Sequence, residues 1–71
     1  MTLRNYKCIV RVFDNDTQEL TAQHEVCIAG GDTEHAIALS IASVATSTVK
    51  VDVAGVPLRL AFACVRVEGM A

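Results

Sequence analysis

Three cysteines (Cys8, Cys27, Cys64), two histidines (His24, His35) and three serines in one stretch (Ser40, Ser43, Ser47) are the side chains whose types could do covalent or metal chemistry. A structural zinc site is usually anchored by a closely spaced Cys pair, and no two of these cysteines are near in sequence. If strand alternation holds, Cys27 also points away from Cys8 and Cys64. Nucleophilic catalysis needs an activated thiol or hydroxyl with a base in reach. Each cysteine lies within an apolar strand pattern, where burial raises a thiol pKa and suppresses reactivity. The serines fall on a helix surface with no neighbouring base. His24 lies on the core side of a strand pattern and reads as a structural histidine satisfied locally, while His35 reads as exposed in the first turn of a helix. Gly30-Gly31 before a helix could cradle a phosphate, but no P-loop lysine follows, and Asp32 and Glu34 read better as a cap. The expectation is no metal, no cofactor and no catalysis.

Binding chemistry is better supplied. Asp14-Asn15-Asp16-Thr17-Gln18-Glu19 carries three acids in a loop between two apolar runs. It reads either as a solvated turn or as an acidic prong, Asp14, Asp16 and Glu19, that meets basic residues on a partner. A second candidate is a sheet face on which Ile9, Phe13, Ala61, Ala63 and Val65 are interleaved with Lys7, Arg11, Gln23, Glu25, Lys50 and Arg59. An apolar centre with a charged rim is the anatomy of an interface. Ile9, Arg11, Phe13 and Arg59 are the partner-binding candidates there, and Ala61, Ala63 and Val65 the candidates for self-association as a homodimer.

The elements that must position these residues follow from periodicity. Tyr6 to Asp14 alternates with period two, as does Leu20 to Ala29, where the inward set is Leu20, Ala22, His24, Val26 and Ile28. Gly30-Gly31 ends the second run, Asp32 caps, and a helix is expected from Thr33 to about Thr46 with Ile37, Ile41 and Val44 inward and the serines outward. Thr48 to Val53 alternates again, with Val49, Val51 and Val53 inward, and Ala54-Gly55 offers a turn into a last strand from Pro57 or Leu58 to Val67. In that strand Leu58, Leu60, Phe62 and Cys64 share one face, and Arg59, Ala61, Ala63, Val65 and Val67 the other. The expectation is a single α+β domain over residues 1–71: ββαββ, a four-stranded, mainly antiparallel sheet with one helix on the face of Val10, Val12, Val26, Val51, Leu60 and Phe62. Either strand three or strand four could lie beside strand one.

Bulk properties narrow the function. The 71 residues are 52% apolar and 20% charged, with a net charge of −2, so the basic excess that drives phosphate-backbone binding is missing. No direct nucleic-acid contact is expected. No apolar run reaches the roughly 20 residues of a membrane span, and the first residues lack a signal-peptide core, so the expected address is the cytoplasm. An odd number of dispersed cysteines fits reduced thiols in that compartment. A chain this small rarely gains more than about 3–5 kcal/mol from one core, which points to oligomerisation or docking on a partner.

The stretch His24-Glu-Val-Cys-Ile-Ala-Gly-Gly-Asp-Thr-Glu-His-Ala-Ile-Ala-Leu-Ser-Ile-Ala resembles the strand, capped turn and Ala-rich helix unit of many small phage-encoded proteins, among them anti-CRISPR inhibitors. In pattern the resemblance covers residues 6 to 53, and it transfers no functional residue. It implies a cofactor-free cytoplasmic protein that binds and obstructs a host protein or ribonucleoprotein, a CRISPR effector complex. The alternatives are a small homo-oligomeric structural or regulatory module, and a sheet that reads single-stranded RNA. The last would need aromatic residues on the open face, where Phe13 stands alone.

Overall fold

The computed structural model describes residues 2–70. It contains β1 (Arg4–Asp14), β2 (Leu20–Gly30), α1 (Thr33–Ser47) and β3 (Leu60–Met70). The sheet order is β2-β1-β3 with both pairings antiparallel, so β1 is central and the helix joins two outer strands that run parallel to each other. The architecture is α+β with three strands, not the four expected from the sequence.

The strand that does not form is Thr48–Val53. Both sides of β1 are occupied over nearly its whole length, by β2 and by β3, so no sheet edge beside β1 is left for it. The segment pairs only with its own continuation. Val51 bridges Pro57, the Leu58 amide donates to the Lys50 carbonyl at 2.8 Å, and the Asp52 amide donates to the Val56 carbonyl at 2.9 Å. Pro57 is tolerated because the two hydrogen bonds flank the bridge and none needs its missing N–H. The Asp52 carboxylate accepts from the Ala54 and Val56 amides at 2.8 and 3.0 Å. Gly55 closes the turn at φ 80°, a left-handed conformation suited to glycine. The result is a small hairpin arm, and Val51, expected under the helix, is exposed on it.

β1 alternates as its sequence directs. Tyr6, Cys8, Val10 and Val12 turn to the helix and are buried. The turn into β2 is built by Asp14, whose carboxylate accepts from the Asp16 amide at 2.8 Å and the Thr17 amide at 3.2 Å, with Gln18 at φ 63°. Val12 faces Ala22 and Phe13 faces Leu20, so Thr21 is an extra residue on β2. That irregularity turns Leu20 to the Phe13 side, against the expectation that it points inward, and leaves it exposed. His24 does lie opposite Val10, but β2 is an outer strand and the imidazole is exposed at its rim rather than satisfied in the core.

A second bulge reorders β3. Ile9 faces Arg66 and Val10 faces Cys64, so Val65 has no counterpart on β1. Cys64 and Val67 therefore both face the helix, while Ala61, Ala63, Arg66 and Glu68 face away. Val67, expected beside Ala63, lies on the opposite side of the sheet from it.

Asp32 caps α1, accepting from the His35 amide at 2.8 Å, and His35 Nδ1 accepts from the Gly31 amide at 3.1 Å. The buried stripe is Ala36, Ser40 and Val44, with Ile37 and Ile41 only half-buried, so Ser40 belongs to the inner face and not to the polar one. Its hydroxyl donates to the Ile37 carbonyl at 2.9 Å, which removes the cost of an unpaired buried polar group. Small residues at this contact bring the helix close. A Cβ on Gly30 would lie 3.1 Å from the Ala36 amide nitrogen. The core divides along β1 into a narrow end of Tyr6, Cys8, Ala36, Ile28, Cys64 and Val67, and a wider end of Val10, Val12, Val44, Ala22, Val26, Ile41, Leu60 and Phe62.

Candidate functional site

The helix covers one face of the sheet, and the residues singled out by sequence distribute over the other face and one turn. The pairing register sets the open face as rows across β2, β1 and β3. Cys27, Lys7 and Glu68 form one row; Glu25, Ile9 and Arg66 the next; then Gln23, Arg11 and Ala63; then Leu20, Phe13 and Ala61. The rows separate into two halves. At one end Lys7 Nζ meets Glu25 Oε1 at 3.3 Å, and Arg66 pairs with Glu68, so two cations and two anions surround Ile9. Lys7, Ile9, Arg66 and Glu68 line only a shallow dent of about 40 Å³, far below the roughly 300 Å³ at which substrate pockets begin. Toward the other end Phe13, Leu20, Ala61 and Ala63 make an apolar strip. Arg11 is aligned beside it by the hydrogen bond from its Nε to Gln23 Oε1 at 2.9 Å.

Ile9, Arg11, Phe13, Ala61 and Ala63 are thus brought together as anticipated. Val65 and Arg59 are not. Val65 is the bulged residue on an outer strand. Arg59 precedes β3 at the base of the arm, where its carbonyl accepts from the Asn15 amide at 2.8 Å and its guanidinium lies 4.0 Å from the Asp16 carboxylate. It therefore belongs to the acidic turn. There, Asp14 is consumed in holding the turn and Asp16 faces a cation. Among the described residues, Glu19 is the acid of the three whose carboxylate makes neither an ion pair nor a turn contact.

Sequence reasoning missed Arg66 and Glu68 as members of the face. The signal was present: apolar residues shift from even positions (Leu60, Phe62, Cys64) to odd ones (Val65, Val67) just where the charges appear at even ones. A one-residue bulge is the way a strand makes that change.

The thiols are held differently. Cys27 is exposed on the open face opposite Lys7, contrary to its expected burial, while Cys8 is enclosed and Cys64 partly so. Burial pushes the Cys8 thiol above its ordinary value; the neighbouring Ser40 hydroxyl opposes the shift and Cys64 adds to it. A thiol so placed is a poor nucleophile at neutral pH. Among the described residues no three His, Cys, Asp or Glu side chains gather as a metal site would require, and no helix is long and apolar enough to cross a membrane. Compared with family models, curated proteins and solved structures, the chain matches none.

Proposed function

We propose that this chain is a non-enzymatic protein-binding inhibitor that docks through the open face of its sheet. The observation that carries this reading is the division of that face into an apolar strip and a charge-balanced half, whose dent among the described residues holds only about 40 Å³. An apolar strip excludes water from a contact, and fixed charges beside it select the partner and its orientation. Phe13 is the anchor, since an aromatic residue at the centre of a patch supplies the largest contact area for the least loss of side-chain freedom. The acidic turn is secondary, because Asp14 and Asp16 are already engaged within the chain.

The resemblance of residues 24–42 to small anti-CRISPR inhibitors supplies the partner class to test first, a CRISPR effector ribonucleoprotein in the bacterial cytoplasm. Obstruction of a nucleic-acid or subunit-binding surface consumes nothing and needs no cofactor. The test is capture of purified effector complexes on immobilised chain, run beside a cleavage or interference assay. The expected result is retention and inhibition by the unmodified chain, with both weakened by Phe13→Ala and by Ile9→Glu. The triple change Asp14→Asn, Asp16→Asn and Glu19→Gln alters only the salt dependence. Retention unaffected by Phe13→Ala and Ile9→Glu would remove the open face from consideration, and retention of RNA alone would favour the RNA-reading sheet.

A further inference from the structure

The arm between α1 and β3 carries an apolar load that nothing among the described residues covers. Val49, Val51, Val53 and Val56 are all exposed, Val49 at 76% and Val53 at 110%. The arm is nevertheless ordered by its own hydrogen bonds, with the Asp52 carboxylate tying down the turn. Its backbone has an unused edge. Lys50 and Asp52 direct their carbonyl and amide toward the Val56–Leu58 limb, so strand alternation turns the N–H and C=O of Val51 the other way. An ordered, valine-rich edge with free donors and acceptors is a template for another strand.

The chain also exposes more surface than its mass warrants. Its accessible area is 4847 Å², whereas a folded monomer of 7.6 kDa should expose about 4,300 Å². Its radius of gyration is 13.5 Å against about 11 Å for a compact chain of this length.

The sequence of the edge says what fits it. Laid antiparallel against itself about a two-fold axis through Val51, Thr48-Val-Lys-Val-Asp-Val sets Val51 opposite Val51 and Lys50 opposite Asp52 of the second copy. Val49 and Val51 of both copies then share one side of the joint ribbon and two opposite-charge pairs the other, while Val53 lies in the Asp52–Gly55 turn beyond the paired stretch. A self-complementary segment on a two-fold axis is the requirement for a closed dimer.

We propose that the arm is the contact of a homodimer, in which the Lys50–Asp52 edges of two copies pair antiparallel about Val51 and join the two hairpins into one four-stranded ribbon. This contact is separate from the open sheet face and leaves that face free for a partner. Sedimentation and light scattering from micromolar to millimolar chain test it, and the expected mass rises to twice 7.6 kDa. Val51→Lys sets two like charges on the axis and should raise the dissociation constant about a hundredfold. Lys50→Glu sets Glu against Asp52 twice and should raise it about tenfold. Ala63→Arg, on the open face, should leave the mass unchanged. Hydrogen exchange on the unmodified chain supplies a readout that does not depend on any variant folding, since the Val51 amide should gain protection as concentration rises while the β1 amides do not change. A monomer at every concentration, a dimer indifferent to Val51→Lys, a dimer broken instead by Ala63→Arg, or a Val51 amide equally exposed at both extremes would each overturn the proposal.

Discussion

Tyr6–Phe13 and Thr48–Val53 read alike as sequence: both alternate, both are rich in β-branched residues, and both lie beside turn formers. One is the central strand of the sheet, with Cys8, Val10 and Val12 fully enclosed, and the other is an exposed hairpin limb held by a single bridge. Alternation permits a strand and does not compel one. What separates them is company: β1 has a partner on each side and a helix across one face, and once both partners are in place no edge of β1 remains for the second segment. The exposed valines of the arm are the residue of that competition, apolar side chains suited to a sheet that the chain does not build alone.

The sharpest test of this contrast is to truncate a valine in each segment. Val10→Ala removes two methyl groups from a fully enclosed site and should cost about 2–3 kcal/mol. In a chain this small that lowers the thermal midpoint by roughly 10–20 °C, measured by circular dichroism. Gly30→Ala should come next. The added Cβ would sit 3.1 Å from the Ala36 backbone nitrogen, which cannot yield without moving the helix, and a cost of about 1–2 kcal/mol in urea unfolding is expected.

Two aspartates sharpen the comparison further, because each accepts two backbone amides in its turn. Asp14→Ala loosens the link between β1 and β2 and should cost about 1 kcal/mol, whereas Asp52→Ala should leave global unfolding unchanged and speed amide exchange only within the arm. Cys8 gives a pH test confined to the sheet. Its folded-state pKa is raised above the ordinary 9.0, so its contribution is fully present below pH 9 and is lost as pH rises through the folded-state value. Stability should therefore fall on the alkaline side, and Cys8→Ala should flatten that limb of the profile. The smallest effect belongs to Val51→Ala, whose unfolding free energy in dilute solution should stay within about 0.5 kcal/mol of the unmodified chain.

Much of the fold was legible. The β1–β2 hairpin, the acidic turn and the Asp32 cap were all readable, because each is decided by local chemistry: alternation, turn-forming side chains, and a carboxylate placed before the first helical amides. The strand count was not, since whether Thr48–Val53 joins the sheet depends on β3 taking the second edge of β1, and that is a tertiary fact. Of the stripe expected from spacing, Ile37, Ile41 and Val44, only Val44 is buried, because the stripe is rotated toward Ala36 and Ser40. Close approach to Gly30 and Cys8 selects the small Ala36 and Ser40. For the open face, Ile9, Arg11, Phe13, Ala61 and Ala63 followed from parity alone. Arg66 and Glu68 were missed because parity was carried unbroken through Val65.

The position of β3 in the chain has a kinetic consequence. β1 and β2 are joined by a short turn and can pair early, but β3 closes on β1 across a separation that runs from Asp14 and Leu60 to Asn5 and Met70. Everything that β3 covers precedes β3 in the chain and is synthesised before it. Until then β1 carries a bare hydrogen-bonding edge, and Cys8, Val10 and Val12 lack the cover of Cys64, Val67 and Phe62. Closing so long a loop costs more chain entropy than closing the short β1–β2 turn, so the docking of β3 on β1 should set the folding rate.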